Sequence, residues 1–215
     1  LKNKTAPPPV ANKGISYDDE TGNHMTIPAL AAALRAMGGV DVYGSDACLM
    51  QMGEVVYELK DLASVIVGSE ETEPGDGYTY DTFLGPVAEN PSMDAEALGR
   101  VAVTAYSDHY RDINKGSTQS VLKTSDIAGF TDKVNVFASA LMASGEKKMA
   151  RSARDAALSF EIPENKDLSD FARWVEEGTQ NESLKAAAAD LRSFISGTLI
   201  RLNRTNDRPE SGAHY

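Results

Sequence analysis

The stretch VDVYGSDACLM, residues 40–50, holds the only cysteine of this 215-residue chain. A free cysteine is commonly a small buried hydrophobe. Delivered to the end of a strand, it can instead be a nucleophile for acyl transfer. Here an apolar strand runs into Asp-Ala-Cys, and the chain then reads as helix. Helical N–H groups near Cys48 would stabilise its thiolate. Asp46 opposes that, since a nearby carboxylate disfavours thiolate. Its position suits a different role, that of receiving a cationic side chain. A second acid, Asp76, lies in SEETEPGDGYTYD, residues 69–81. A guanidinium is a planar fork that a carboxylate meets bidentately, and two acids can hold both its edges. Each acid also has a plain structural reading, Asp46 as a cap or turn residue and Asp76 as the centre of a Gly-Asp-Gly turn. Glu70, Glu71 and Glu73 add negative potential and read as mostly solvated.

The elements that would position these groups are legible as patterns. Ile15 to Tyr17 reads as a short strand. Thr26 reads as the N-cap of an Ala-rich helix over 29–37, with Pro28 in its first turn. Val40 to Tyr43 is a strand, and residues 49–60 form a helix with Met52, Val55, Val56 and Leu59 on one face. Residues 63–67, ASVIV, are a continuous apolar run, as in a strand covered on both faces. Asp94 caps a helix to Tyr110, and residues 117–122 are a further strand. Helices follow over 126–141, 146–158, 168–176 and 183–202. Strand–helix alternation to residue 125 predicts an α/β fold with a mostly parallel sheet. Its working groups belong at the carboxyl ends of the strands.

The ordered blocks D-A-C-L-M, E-V-V-Y-E-L-K-D-L-A, S-E-E-T-E-P-G-D-G and T-Q-S-V-L-K-T-S-D-I resemble the clostripain family of cysteine peptidases. The stretch G-I-S-Y-D-D-E-T-G-N fits as well, and the resemblance is dense over residues 14–126. It implies a caspase-like three-layer sandwich, a mostly parallel sheet with helices on both faces and a helical C-terminal portion. It also implies cleavage after Arg or Lys by a Cys48 thiolate, with Asp46 and Asp76 at the motif positions of the family's S1 acids. The histidine of caspase-type sites precedes the cysteine by about 50 residues, which falls outside this sequence. The family's H-G-S-G-like motif is absent. His24, His109 and His214 read as ordinary histidines, His24 because it sits in a polar turn with no H-G context. The expectation is therefore a heavy chain whose histidine comes from a separate N-terminal light chain after autoprocessing. The alternative is an inactive caspase-like binding module lacking the histidine.

Three segments follow: an exposed Lys- and Pro-rich processing segment over 1–13, catalytic-domain residues over 14–125, and a helical continuation over 126–215 that stops before an expected final strand. The formal charge of −11 argues against nucleic acid and suits cationic substrates. No apolar run is long enough to span a membrane. The resemblance places the protein outside a bacterial cytoplasm, secreted or in the cell envelope. It also leaves calcium open as a cofactor. The runs Asp18-Asp19-Glu20 and Glu70-Glu71 offer oxygens without the spacing of an EF-hand, so no metal ligand is assigned.

Overall fold

The structure is a computed structural model that describes residues 14–207; the expected processing segment and His214 lie outside them. A short antiparallel pair opens it, β1 (Gly14–Ile15) with β2 (Met25–Thr26). The Thr26 hydroxyl then accepts from the Ala29 N–H at 3.3 Å and starts α1 (Ile27–Ala36). Its buried stripe, Ile27, Leu30, Ala31 and Leu34, has helical spacing. β3 (Val40–Gly44) follows, then α2 (Gly53–Leu59), which buries Val55, Val56 and Leu59. β4 (Ala63–Gly68) runs parallel to β3, with Gly44 opposite Val67.

After β4 come α3 (Tyr80–Glu89) and α4 (Ala95–Asp112), then β5 (Ser117–Lys123). The Asp94 side chain caps α4 through the Ala97 N–H at 2.7 Å. Four helices follow: α5 (Ile127–Ser144), α6 (Lys147–Ala156), α7 (Leu168–Gly178) and α8 (Glu182–Phe194). One π-helical turn (Ile195–Leu199) leads from α8 into β6 (Ile200–Asn206).

The four-stranded sheet has the order β3-β4-β5-β6. Alternation along β4 divides its side chains between two faces. Ile66 and Leu122 pack with the buried residues of α1 and α2, whereas Val65, Val67 and Val121 meet Ala102 and Val103 of α4. Gly99 lets α4 approach closely, because a Cβ there would come within 3.1 Å of Val121 and Val67. Helices thus cover both faces, and the α/β class holds. Strand direction departs from the mostly parallel expectation: β3–β4 is parallel, whereas β4–β5 and β5–β6 are antiparallel. An apolar run records that both faces are covered, not which way its neighbour runs.

β6 is a second departure. Residues 183–202 read as one helix, yet the helix ends at Phe194 and residues 200–206 join the sheet beside β5. Its seat is partly polar: Asn206 Nδ2 donates to Ser107 O and Ser117 Oγ, each at 2.9 Å. The portion after residue 125 therefore supplies a strand to the same sheet. Its helices also hold their own apolar cluster around Ala172, Val175, Leu184 and Leu191. α3 was missed because Gly85 and Pro86 interrupt it.

Candidate active site

Because β3 and β4 are parallel, both carboxyl ends reach the same edge of the sheet. Antiparallel β5 brings its amino end, Ser117 to Gln119, to that edge as well. Cys48 stands there, exposed. Residues 48–51 are turn rather than helix, and α2 begins only at Gly53. The expected helical N–H groups are thus not what faces the sulfur. Instead the Glu73 backbone N–H, from the loop after β4, donates to Cys48 Sγ at 3.3 Å.

The turn does not wind into helix because its N–H groups bond to the β4 loop. Leu49 N–H donates to Glu71 O at 3.1 Å, and Gln51 N–H to Ser69 O at 2.9 Å. Leu49 adopts a φ of 61° as a result, a left-handed conformation that costs a non-glycine residue about 1–2 kcal/mol. The strain sits beside the exposed thiol, and backbone strain of this kind clusters at functional sites.

Asp46 is held firmly. Its Oδ2 accepts from Tyr80 Oη at 3.0 Å and from the Tyr78 N–H at 3.3 Å. Gly77 is the residue that lets this happen. Its φ is +66°, and a Cβ on it would lie 2.8 Å from Asp46 Oδ2. Tyr110, fully buried on α4, donates its hydroxyl to Gly77 O at 2.7 Å and fixes the loop from below. Burial, with the charges of Asp76, Asp46 and Glu73, pushes the Tyr110 phenol up to about 12, so it stays a donor.

Asp76 is placed differently. Its carboxylate is exposed and pairs with Lys115 at 3.2 Å on the outer side of the loop. The glutamates of the same loop are not the solvated set expected. Glu71 is 2% exposed. Its Oε1 accepts from the N–H groups of Thr72 at 2.6 Å and Glu161 at 3.0 Å, tying the loop to the helical portion. Burial first, and then the Asp167 charge, raises Glu70 to about 8. Glu73 accepts from Gln119 Nε2 at 2.6 Å, and burial followed by the Asp46 charge raises it to about 8 as well. Sequence reasoning missed Tyr78, Tyr80 and Gln119, and placed Glu73 in a mostly solvated set rather than against Gln119. Gln119 carried a signal: a polar side chain inside a strand covered on both faces needs a partner.

Neither described histidine hydrogen-bonds to Cys48. His24 stacks on Tyr17 with centroids 4.8 Å apart, and His109 packs edge-on against Tyr110. No group of three or more His, Cys, Asp or Glu among the described residues could hold a metal ion. Of the acids left open for calcium, Asp18 accepts from the Thr21 hydroxyl and the Glu20 N–H, and Glu71 is bonded as above. A cavity of about 660 Å³ is lined by Gln51, Glu70, Asp167 and residues of β6 and does not include Cys48. A smaller one of about 260 Å³ opens beside Asp46, between Val42, Tyr78, Phe83 and Leu98.

The site thus combines an exposed cysteine at the carboxyl edge of the sheet with an anchored carboxylate two residues before it. The clostripain family profile matches residues 2–206, and the chain belongs to that family of cysteine peptidases. No curated protein matches the chain. Among solved structures it is similar to a cysteine protease of B. fragilis, with 19% identity, a TM-score of 0.61, and coverage of 93% of this chain and 82% of that one. It is similar to a secreted C11 cysteine protease from Bacteroides thetaiotaomicron in complex with an irreversible peptide inhibitor, with 21% identity, a TM-score of 0.65 and coverage of 95% and 57%. It also resembles an inactive zymogen C11 protease from Parabacteroides distasonis, with 20% identity, a TM-score of 0.57 and coverage of 84% and 48%. The chain thus spans about half the length of the latter two. At these identities the likeness supports the fold alone. Among the described residues no helix is long and apolar enough to cross a membrane.

Proposed function

We propose that this chain is the nucleophile-bearing part of an endopeptidase that cleaves after Arg or Lys. One observation carries the reading: Asp46 is anchored by Tyr78 and Tyr80 two residues before an exposed Cys48 that lies at the carboxyl edge of the sheet. An acid fixed there is placed to hold the side chain preceding the scissile bond while the thiol attacks its carbonyl. Asp76 keeps the second role that its motif position implies, as an outer contact reached when a substrate cation replaces Lys115.

The chemistry needs a base that the described residues do not bring to Cys48. A histidine from a separate light chain is the proposed source. Among the described residues β3 has a single sheet neighbour, so its other edge is open to a further strand. In the first step the Cys48 sulfur bonds to the carbonyl carbon and the thiol proton passes to the histidine. The Cys48 N–H is the proposed oxyanion donor. The histidine then protonates the departing amine as the C–N bond breaks, and water hydrolyses the thioester. Autoprocessing and export from a bacterial cell complete the proposal. Export has support in the secreted relative from Bacteroides thetaiotaomicron.

The test is to express the complete gene product and assay peptides ending in Arg, Lys or Asp before the leaving group. Cleavage after basic residues that disappears with Cys48→Ala supports the peptidase. A complete product with no upstream H-G motif and no cleavage would support the binding module instead.

A further inference from the structure

The chain carries a formal charge of −11, yet one helix reverses that sign. α6 presents Lys147, Lys148, Arg151 and Arg154, all exposed. Lys147, Arg151 and Arg154 stand at i, i+4 and i+7, so they form one ridge about 10 Å long. None of the four side chains forms an ion pair or hydrogen bond among the described residues. By contrast, Arg100, Arg111, Arg173 and Arg192 are matched by Glu96, Asp108, Asp170 and Glu176. Nearby acids are turned elsewhere, Glu146 to the Thr179 hydroxyl and Glu177 to Arg173. Helix stability does not select this arrangement. Cations in a first turn oppose the helix dipole, α6 has no acid there, and like charges three and four residues apart repel. The opposite side of α6 is already packed: Ala153 is buried, and Met149 lies so close to Gly178 of α7 that a Cβ there would come within 3.1 Å of it.

We propose that this ridge docks an acidic, extended segment of the substrate polypeptide. The inference rests on the peptidase reading and adds a contact remote from the scissile bond. Charge complementarity selects an anion, and the narrowness of the ridge selects a thin one. Exposed charges are screened over about 8 Å in physiological salt. A single strand can therefore meet α6 without meeting the acids that make the rest of the chain negative. A lipid surface is broad and calls on an apolar helix face, and that face of α6 is packed on α7. In an extended peptide, alternate side chains share a face about 7 Å apart. Carboxylates at every second residue thus match the three cations within the reach of Lys and Arg, and each guanidinium can take one bidentately. The ridge is also tied to the nucleophile. Arg154 precedes Glu161 by seven residues. The Glu161 N–H donates to Glu71 Oε1 at 3.0 Å, and Glu71 O accepts from the Leu49 N–H at 3.1 Å, next to Cys48. That stretch of chain spans at most about 25 Å. An acidic tract within about a dozen residues of the scissile bond therefore reaches the ridge.

Two probes separate the ridge from the cleavage site. The first is a short fluorescein-labelled peptide of alternating Glu and Ser, with no basic residue to cleave; its Gln–Ser counterpart is the control. Anisotropy is read on the complete gene product. The Glu peptide should bind, the Gln peptide should not, and binding should weaken as salt is raised. The triple variant Lys147→Gln/Arg151→Gln/Arg154→Gln should bind about 5- to 30-fold more weakly. Arg35→Gln, which removes an exposed cation from α1, should bind as wild type does. Gln is a good helix former, so the triple variant should unfold at or above the wild-type temperature. Equal binding by wild type and the triple variant would overturn the inference. So would sedimentation with phosphatidylglycerol vesicles in the absence of peptide binding, which would assign the ridge to a lipid surface. The second probe joins an Arg cleavage site to the same acidic tract. Its KM should be lower than that of the Gln version at equal kcat, and the difference should vanish in the triple variant. A KM indifferent to the tract would overturn the substrate assignment. If no peptide is cleaved, the peptidase reading and the substrate role fall together, while binding of the Glu peptide still supports docking of an acidic segment on α6.

Discussion

Gly77→Ala is the substitution that probes the anchoring of Asp46 most sharply. Two costs fall together at this position. The φ of +66° disfavours any residue with a Cβ, by about 1–2 kcal/mol. The new methyl would also lie 2.8 and 2.9 Å from the two Asp46 oxygens. The clash cannot be relieved without moving the carboxylate away from Tyr78 N–H and Tyr80 Oη, its two donors. The stability loss should be modest, a fall of about 2–8 °C in Tm for a protein of this size. The loss in kcat/KM on an Arg peptide should be far larger, about 100-fold, because a shift of about 1 Å in a positioning group has that effect. Gly75→Ala is the built-in control, since a Cβ there meets nothing within 4 Å and no left-handed φ is required. Steady-state kinetics and thermal melts on wild type and the two variants decide the matter. If Gly77→Ala keeps kcat/KM within about twofold of Gly75→Ala, Asp46 is not the held acid described here.

Two further substitutions test other parts of the molecule. Glu70 is raised to about 8 by burial and Asp167, so the folded chain binds a proton there that the unfolded chain has released. Stability should therefore fall as pH rises from about 4.5 to 8, and Glu70→Gln should flatten that decline in Tm and raise Tm at pH 8. Leu59, fully buried between α2 and the sheet, should cost about 2–5 kcal/mol in urea unfolding when cut to Ala.

Much of this architecture can be read from residue types because local chemistry and tertiary structure agree. Thr26 and Asp94 cap the helices that their side chains suggest. The strands at Val40 and Ala63 lie where their apolar runs put them, and their parallel pairing brings Cys48 and the acidic loop to one edge. What stayed hidden depends on partners distant in sequence. The direction of β5 follows from the route of α4, and it is this reversal that carries Gln119 to Glu73. The 49–51 stretch has helical composition, but its N–H groups bond to the β4 loop, so the helix starts later. β6 carries a helix-like apolar pattern into a strand because a π-turn intervenes. The separate fates of Glu70, Glu71 and Glu73 come from what α4, β5 and the helical portion place around them.

The central claim is that Cys48 is the nucleophile, and covalent capture tests it most directly. The complete gene product is treated with an arginyl chloromethyl ketone and digested for mass spectrometry. One adduct is expected, on Cys48, formed faster than with a matched alanyl reagent and absent in Cys48→Ala. Inhibition without modification of Cys48, or equal labelling rates by the two reagents, would contradict it.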